Sequence, residues 1–205
     1  MARDRSPIVK QSRREGYALH PKAHKIMAKK SGIPGMHAHG RHSKPSMYAI
    51  QLREKQKVRR LYGLLEKQFA RLMKEAGRTK GQSGQVLLQL LERRLDNVIY
   101  RAGWAVSRRG SRQLVSHGHL MVNGTRVNIP SLRVREGDVI TVRPSSAKTQ
   151  YFAILDEIVK DTNQPTLSWL KSDHKKMTIT VTGLPTREEA DTDINEQLIV
   201  EYYSR

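Results

Sequence analysis

The sequence predicts an α+β protein, and three observations carry that prediction. Apolar residues recur at three- and four-residue steps between Met47 and Met73, and again from Leu91 to Ala102, which is the period of a helix face. Asn123-Gly124 stands between Met121-Val122 and Thr125-Arg126-Val127, the strongest short-range hairpin signal a sequence can carry. The run Val139-Ile140-Thr141-Val142 supplies a β-branched strand, and Met177 to Val181 is a candidate for another.

Taken in order, residues 1–45 are basic, carry Gly or Pro at 32, 34, 35, 40 and 45, and sustain no apolar period. They read as an extended arm that orders on a polyanion. Residues 46–80 read as helical. Ser46 caps the start, Met47, Ile50, Val58, Leu61, Leu65, Phe69 and Leu72 form the apolar stripe, and Arg53, Lys55, Lys57, Arg59 and Arg60 form a basic ridge outside it. A membrane-surface helix would share that pattern but would want more aromatic residues than Tyr62 and Phe69.

Lys80 to Gly84 is a loop without the Gly-Lys-Ser/Thr of a nucleotide phosphate loop. A helix beginning at Val86 is expected to run on into the stretch from Glu92, making a rigid joint. Gly103 stops it and Ser107 caps the next helix, which closes at His117-Gly118. Tyr151 to Val159 reads as a short helix, and Pro165 to Leu170 as extended with Trp169 buried.

The chain has 205 residues and a formal net charge of +19, which calls for an anionic partner. The charge is +9 over residues 1–45, +6 over 46–92, +8 over 93–148 and −4 over 149–205. The basic part reads as a nucleic-acid surface and the acidic end, with Asp191, Asp193 and Glu196, as a face toward protein or onto residues 46–80. No apolar run is long enough to span a bilayer, and the first residues lack a signal peptide's apolar core.

There is no cysteine, so disulfides and cysteine zinc sites are excluded. His20, His24, His37, His39 and His42 crowd the arm, but the cations around them and the lack of nearby carboxylates argue against a metal; they suit stacking on bases or bonding to phosphate. No nucleophile elbow and no His-Glu-x-x-His occurs, so neither an enzyme nor a cofactor is expected.

In the helix after Ser107, Arg108 and Arg112 stand four apart with Arg109 beside them. Guanidinium groups pair bidentately with phosphate and stack on bases, so this face is expected to meet RNA, although a solvated basic face on any helix pair would look the same. The residues expected at RNA are Arg3, Lys10, Arg13 and Arg14 in the arm, the ridge from Arg53 to Arg60, and Arg94, Arg108, Arg109, Arg112, Gln113, His117, Asn123 and Arg126.

The central stretch resembles the S-four RNA-binding domain, through Arg94-Leu95-Asp96-Asn97-Val98, Arg112 to His117, Val122-Asn123-Gly124 and Gly137-Asp138-Val139. It departs at Arg109-Gly110, where that family more often has alanine and glutamate. Ser12 to Gly16, Pro34 to His37, Gln51 to Arg59, Trp169-Leu170 and Asp193 to Glu201 extend the resemblance, over essentially the whole chain, to the S-four family of the bacterial small ribosomal subunit. The resemblance implies an S-four domain inserted at residues 93–173, with 46–92 and 174–205 forming one helical domain.

It further implies a cytoplasmic protein that binds small-subunit rRNA early in assembly, at a multi-helix junction of the 5′ domain. Such a protein would lie near the channel through which mRNA enters, with Arg41 and Lys44 toward the mRNA. It would meet protein S-five through the acidic end and so bear on decoding accuracy. S-four domains also occur in RNA-modifying enzymes and a tRNA synthetase, but those need a further catalytic domain; an RNA chaperone or repressor is the remaining alternative.

Overall fold

A computed structural model describes residues 4, 6–30, 32–36, 44–162, 165, 167–191 and 193–204. The chain divides into two compact units, Met1–Leu87 with Asp193–Arg205, and Leu88–Thr192.

The first unit is helical. It holds α1 (Ile8–Glu15), α2 (Pro21–Lys29), α3 (Met47–Leu61), α4 (Glu66–Ala76) and the start of α5 (Ser83–Glu92). The arm is therefore not simply extended: α1 and α2 pack on each other and α1 on α3. Their starts and stops are local. Gly16 at φ 64° ends α1 in the left-handed region, and the His20 side chain accepts from Lys22 N–H ahead of Pro21. Ser46 Oγ accepts from Ala49 N–H, as its cap role predicts. The single helical stretch expected over residues 46–80 is broken at Gly63, whose φ of 64° turns the chain between α3 and α4. Val58, Leu61, Leu64, Phe69 and Ala76 form the buried side.

The second unit holds α6 (Leu95–Arg101), α7 (Arg108–Ser116), β1 (Leu120–Val122), β2 (Thr125–Val127), β3 (Val139–Val142), α8 (Pro144–Ala147), α9 (Gln150–Ala153), α10 (Leu155–Thr162), β4 (Leu170–Asp173) and β5 (Thr178–Val181). The strands make one antiparallel sheet in the order β2-β1-β3-β5-β4. Asn123 (φ 49°) and Gly124 (φ 78°) form the tight β1–β2 turn that their sequence signals. Alternation on β3 sends Ile140 and Val142 into a core shared with Leu95, Ile99, Trp104, Val115, Phe152, Trp169 and Ile179.

Three boundaries differ from the sequence expectation. The helix through Glu92 does not continue: Arg94 is extended, and the N–H groups of Leu95 and Asp96 donate to Leu132 and Pro130 carbonyls, so α6 starts afresh. A domain edge at 173 would cut the β4–β5 hairpin. Because β5 pairs with β3 as well as β4, the chain belongs to the sheet unit through 192. The helix expected over Tyr151 to Val159 is interrupted at Ile154, between α9 and α10.

The last helix, α11 (Glu196–Tyr203), belongs to the first unit and lies along α3, as the acidic end facing residues 46–80 suggested. Gln51 donates to Glu201, Lys57 Nζ to the Asp193 carbonyl, and Asn195 N–H to Glu54.

Candidate nucleic-acid interface

In the second unit, buried carboxylates decide which arginines reach solvent. Asp96 takes Arg94 in a two-bond pair (3.0 and 2.7 Å) and also meets Arg112 at 3.5 Å. Glu92 takes Arg101 the same way (2.9 and 2.8 Å) and accepts from Asn97. Asp191 meets Arg108 at 2.9 Å and Arg101 at 3.3 Å. Arg108 also donates to Asn97 and lies over the Tyr100 ring. Burial opposes ionisation of Asp191, but Arg108 and Arg101 outweigh it and hold its carboxyl below the usual range.

The expected RNA face is therefore corrected. Arg94 is 5% exposed and Arg112 8%, and with Arg108 they bind carboxylates of the same unit rather than solvent. Asp191, expected at a protein partner, is spent on those arginines. The exposed side of α7 is instead Arg109, Gln113, Ser116 and His117, spaced at four, three and one residues. Asn123 and Arg126 on the hairpin are exposed too. The Arg126 guanidinium lies on the Gly118 backbone, where an added Cβ would fall 2.6 Å from its Nε, so the glycine allows hairpin and helix end to close up. His119 beside it is held neutral more strongly than a free histidine, by burial first and then by His117, Arg143 and Arg126.

The ridge on α3 is corrected in the same way. Lys55 is 3% exposed, donates to Glu66 at 2.8 Å and lies over the Tyr202 ring. Glu66 accepts from Tyr203 as well; burial and that carboxylate push the Tyr203 hydroxyl far up. Arg53 and Arg60 share Glu15, Lys57 pairs with Glu54, and Arg59 donates to Gln56. The Glu15 side chain is fully covered, and its burial raises its pKa against the pull of Arg53 and Arg60.

Arg53 keeps a side chain 41% exposed, and the other exposed cations of this unit lie off the ridge. Lys10 and Arg14 stand four apart on α1, and Lys22, Lys25 and Lys29 project from α2; Arg13 is partly covered and donates to the Gly32 carbonyl. The stripe Lys67, Arg71, Lys74 and Arg78 along and just past α4 is exposed throughout, and the sequence reading passed over it. Its three- and four-residue spacing was available as a signal.

Lys44 is exposed, as is Asp193, and Glu196 is half-buried. Arg3, Arg41, His37, His39 and His42 lie outside the described residues. Among the described residues no three His, Asp or Glu side chains converge as a metal site would need, and no helix is long and apolar enough to cross a membrane.

The second unit combines a small antiparallel sheet with a helix pair whose outer side carries Arg109, Gln113 and His117, and the first is a basic helical unit. Residues 3–92 match the model described as Ribosomal protein S4/S9 N-terminal domain, and residues 93–140 the S4 domain. Over the full length of both chains, the sequence is 50% identical to small ribosomal subunit protein uS4 of Chlorobium phaeovibrioides, 52% to that of Herpetosiphon aurantiacus and 49% to that of Syntrophomonas wolfei. The chain belongs to the uS4 family of small ribosomal subunit proteins, a structural rather than an enzymatic family.

Proposed function

We propose that this protein is a structural component of the cytoplasmic small ribosomal subunit that binds its rRNA directly. The observation that carries the reading is the set of exposed cations: Arg109 and Arg126 on one unit, Lys10, Arg14 and the α4 stripe on the other. Phosphate contacts of this kind release counterions, so affinity for an rRNA 5′-domain transcript should fall by orders of magnitude across moderate salt. Affinity that stays flat with added salt would overturn the reading.

The finer reading places the protein early in assembly, near the channel through which mRNA enters, with Lys44 and Arg41 toward the mRNA. Its support is the family membership and the exposure of Lys44. Contact with protein S-five, and through it an influence on accuracy, is assigned to Asp193 and Glu196, supported by the exposure of Asp193 beside α11. Asp193→Asn should leave affinity for naked rRNA unchanged while loosening the protein contact in assembled subunits. Equal loss on naked rRNA would remove Asp193 from that role.

A further inference from the structure

The turn between β1 and β2 holds the only Asn-Gly pair in the chain, Asn123-Gly124. Such a pair carries its own nucleophile and electrophile. Glycine has no side chain to shield its nitrogen, which can therefore attack the carbonyl carbon of the preceding asparagine side chain. Both residues are exposed, and a Cβ added at Gly124 would meet nothing within 4 Å, so the pair stands open to solvent.

The fold holds the pair away from that reaction. Asn123 (φ 49°) and Gly124 (φ 78°) both lie in the left-handed region, as a type I′ turn requires. Such a turn sets the Asn123 ψ at roughly +30°, whereas ring closure brings the Gly124 nitrogen into line with Cβ, at a ψ of opposite sign. The carboxamide is also fastened at both ends. Asn123 Nδ2 donates to Asp138 Oδ1 at 2.8 Å, and Asn123 Oδ1 accepts from Val139 N–H at 2.9 Å. Asn123 N–H donates to the Val139 carbonyl at 2.9 Å. Asp138 is itself held, since its other oxygen accepts from Arg135 N–H at 2.7 Å.

We propose that Asn123-Gly124 is a site of spontaneous deamidation that the start of β3 keeps closed, with Asp138 as its latch. Opening of the turn releases it. The Gly124 nitrogen gives up its proton and bonds to Asn123 Cγ; the Cγ–Nδ2 bond breaks, and Nδ2 leaves as ammonia with that proton. One water then opens the cyclic imide. Opening at Cγ yields aspartate, and opening at the Asn123 backbone carbonyl yields isoaspartate. Neither product restores the turn. Aspartate sets a second carboxylate against Asp138, where Nδ2 donates in the native turn. Isoaspartate carries the main chain through Cβ and Cγ, which adds one carbon to the tight turn between the paired Val122 and Thr125. Conversion is one-way, so it accumulates with the time the hairpin has stood open. It also adds a negative charge to the exposed hairpin that carries Arg126. The chemistry is independent of the partner that the hairpin meets.

The test incubates the full chain at mildly alkaline pH, folded or unfolded in guanidinium chloride, and maps tryptic peptides by mass spectrometry. Isoaspartyl methyltransferase with labelled S-adenosylmethionine counts the isoaspartate. Cleavage after Arg112 and Arg126 isolates Asn123 in residues 113–126. Cleavage after Arg133 places Asn128, exposed but followed by isoleucine, in residues 127–133 as the internal control. Unfolded protein should convert 113–126 readily and leave 127–133 nearly unchanged. Folded native protein should convert 113–126 at least about tenfold more slowly, because only the opened turn reacts. Asp138→Ala removes a charge-assisted bond and should speed conversion in the folded protein by about tenfold, with no change in the unfolded one.

Tryptophan fluorescence verifies that the variant is folded; if it is not, the comparison of folded with unfolded native protein decides. Absence of conversion in unfolded 113–126 overturns the site. Equal rates for folded and unfolded native protein overturn the closure. A folded Asp138→Ala variant that converts no faster than native protein overturns the role of Asp138 as latch.

Discussion

Replacing Asp191 with asparagine tests whether the buried arginines are part of the framework or part of the RNA surface. The substitution keeps shape and removes charge from a group that meets Arg108 at 2.9 Å and Arg101 at 3.3 Å. Stranding a fully buried charge costs about 3–5 kcal/mol. Here the cost is smaller, because Arg101 keeps its two bonds to Glu92 and Arg108 keeps Asn97 and the Tyr100 ring. Asp191 also retains some solvent, with a side chain 20% exposed. A loss of about 2 kcal/mol follows, roughly 30-fold in the folding equilibrium.

Urea unfolding followed by tryptophan fluorescence reads this unit selectively, since Trp104 and Trp169 are the only 2 tryptophans and both are buried in it. The Asp191 carboxyl has a lowered pKa in the folded state, so its contribution is present in full above the unfolded value and is lost as pH falls through the folded one. The gap between native and variant protein should be constant from about pH 5 to 8, begin to narrow near about pH 4, and go on closing as pH falls through the lowered folded value. Equal stabilities at pH 7, or a gap that does not narrow as pH falls from about 5 toward about 2, would refute the framework role.

Other outcomes follow from the same geometry. Arg112→Ala should destabilise the sheet unit by about 1–3 kcal/mol, measured by urea unfolding, because Asp96 loses one of its two cations in a buried setting. Arg109→Ala/Arg126→Ala should cost that stability less than Arg112→Ala does and lower the salt slope of rRNA binding by about 1–2. Gly84→Ala should cost the helical unit about 1–3 kcal/mol by thermal unfolding, since its Cβ would sit 2.6 Å from Glu196 Cγ and 2.9 Å from Glu196 Cβ. Gly110→Ala meets only ordinary contacts, 3.5 Å to Ser107 Oγ and 3.7 Å to Ala105 Cβ, and should stabilise α7 by about 0.5–1 kcal/mol.

What was legible in the sequence was what is decided locally. The Asn123-Gly124 turn, the Ser107 cap and the Gly118 stop each depend on a few adjacent residues, and each forms as read. The phase of the expected RNA face was not legible, because several acids that claim its arginines come from afar: Asp191 lies 83 residues from Arg108, and Glu15 lies 38 and 45 residues from Arg53 and Arg60, whereas the local pair Arg94–Asp96 was within reach of the sequence. One-dimensional spacing placed Arg108 and Arg112 on a common face correctly but could not say that this face turns inward. The helices of the arm escaped for another reason. The buried residues of α1 are Gln11 and Ser12 and that of α2 is Ala23, so neither helix shows an apolar stripe to find.

The docking of α11 on α3 has a consequence for the order in which the protein can be made. Gln51 and Glu201 are 150 residues apart, and all of Leu88–Thr192 is translated between them. A nascent chain therefore has the sheet unit ready to fold while α3 still lacks the helix that lies along it. The helical unit is open during most of its own synthesis, with Lys55 lacking the Tyr202 ring that covers it later. Chaperones or a growing RNA contact have that interval in which to engage α3, and arrival of Glu196–Tyr203 ends it.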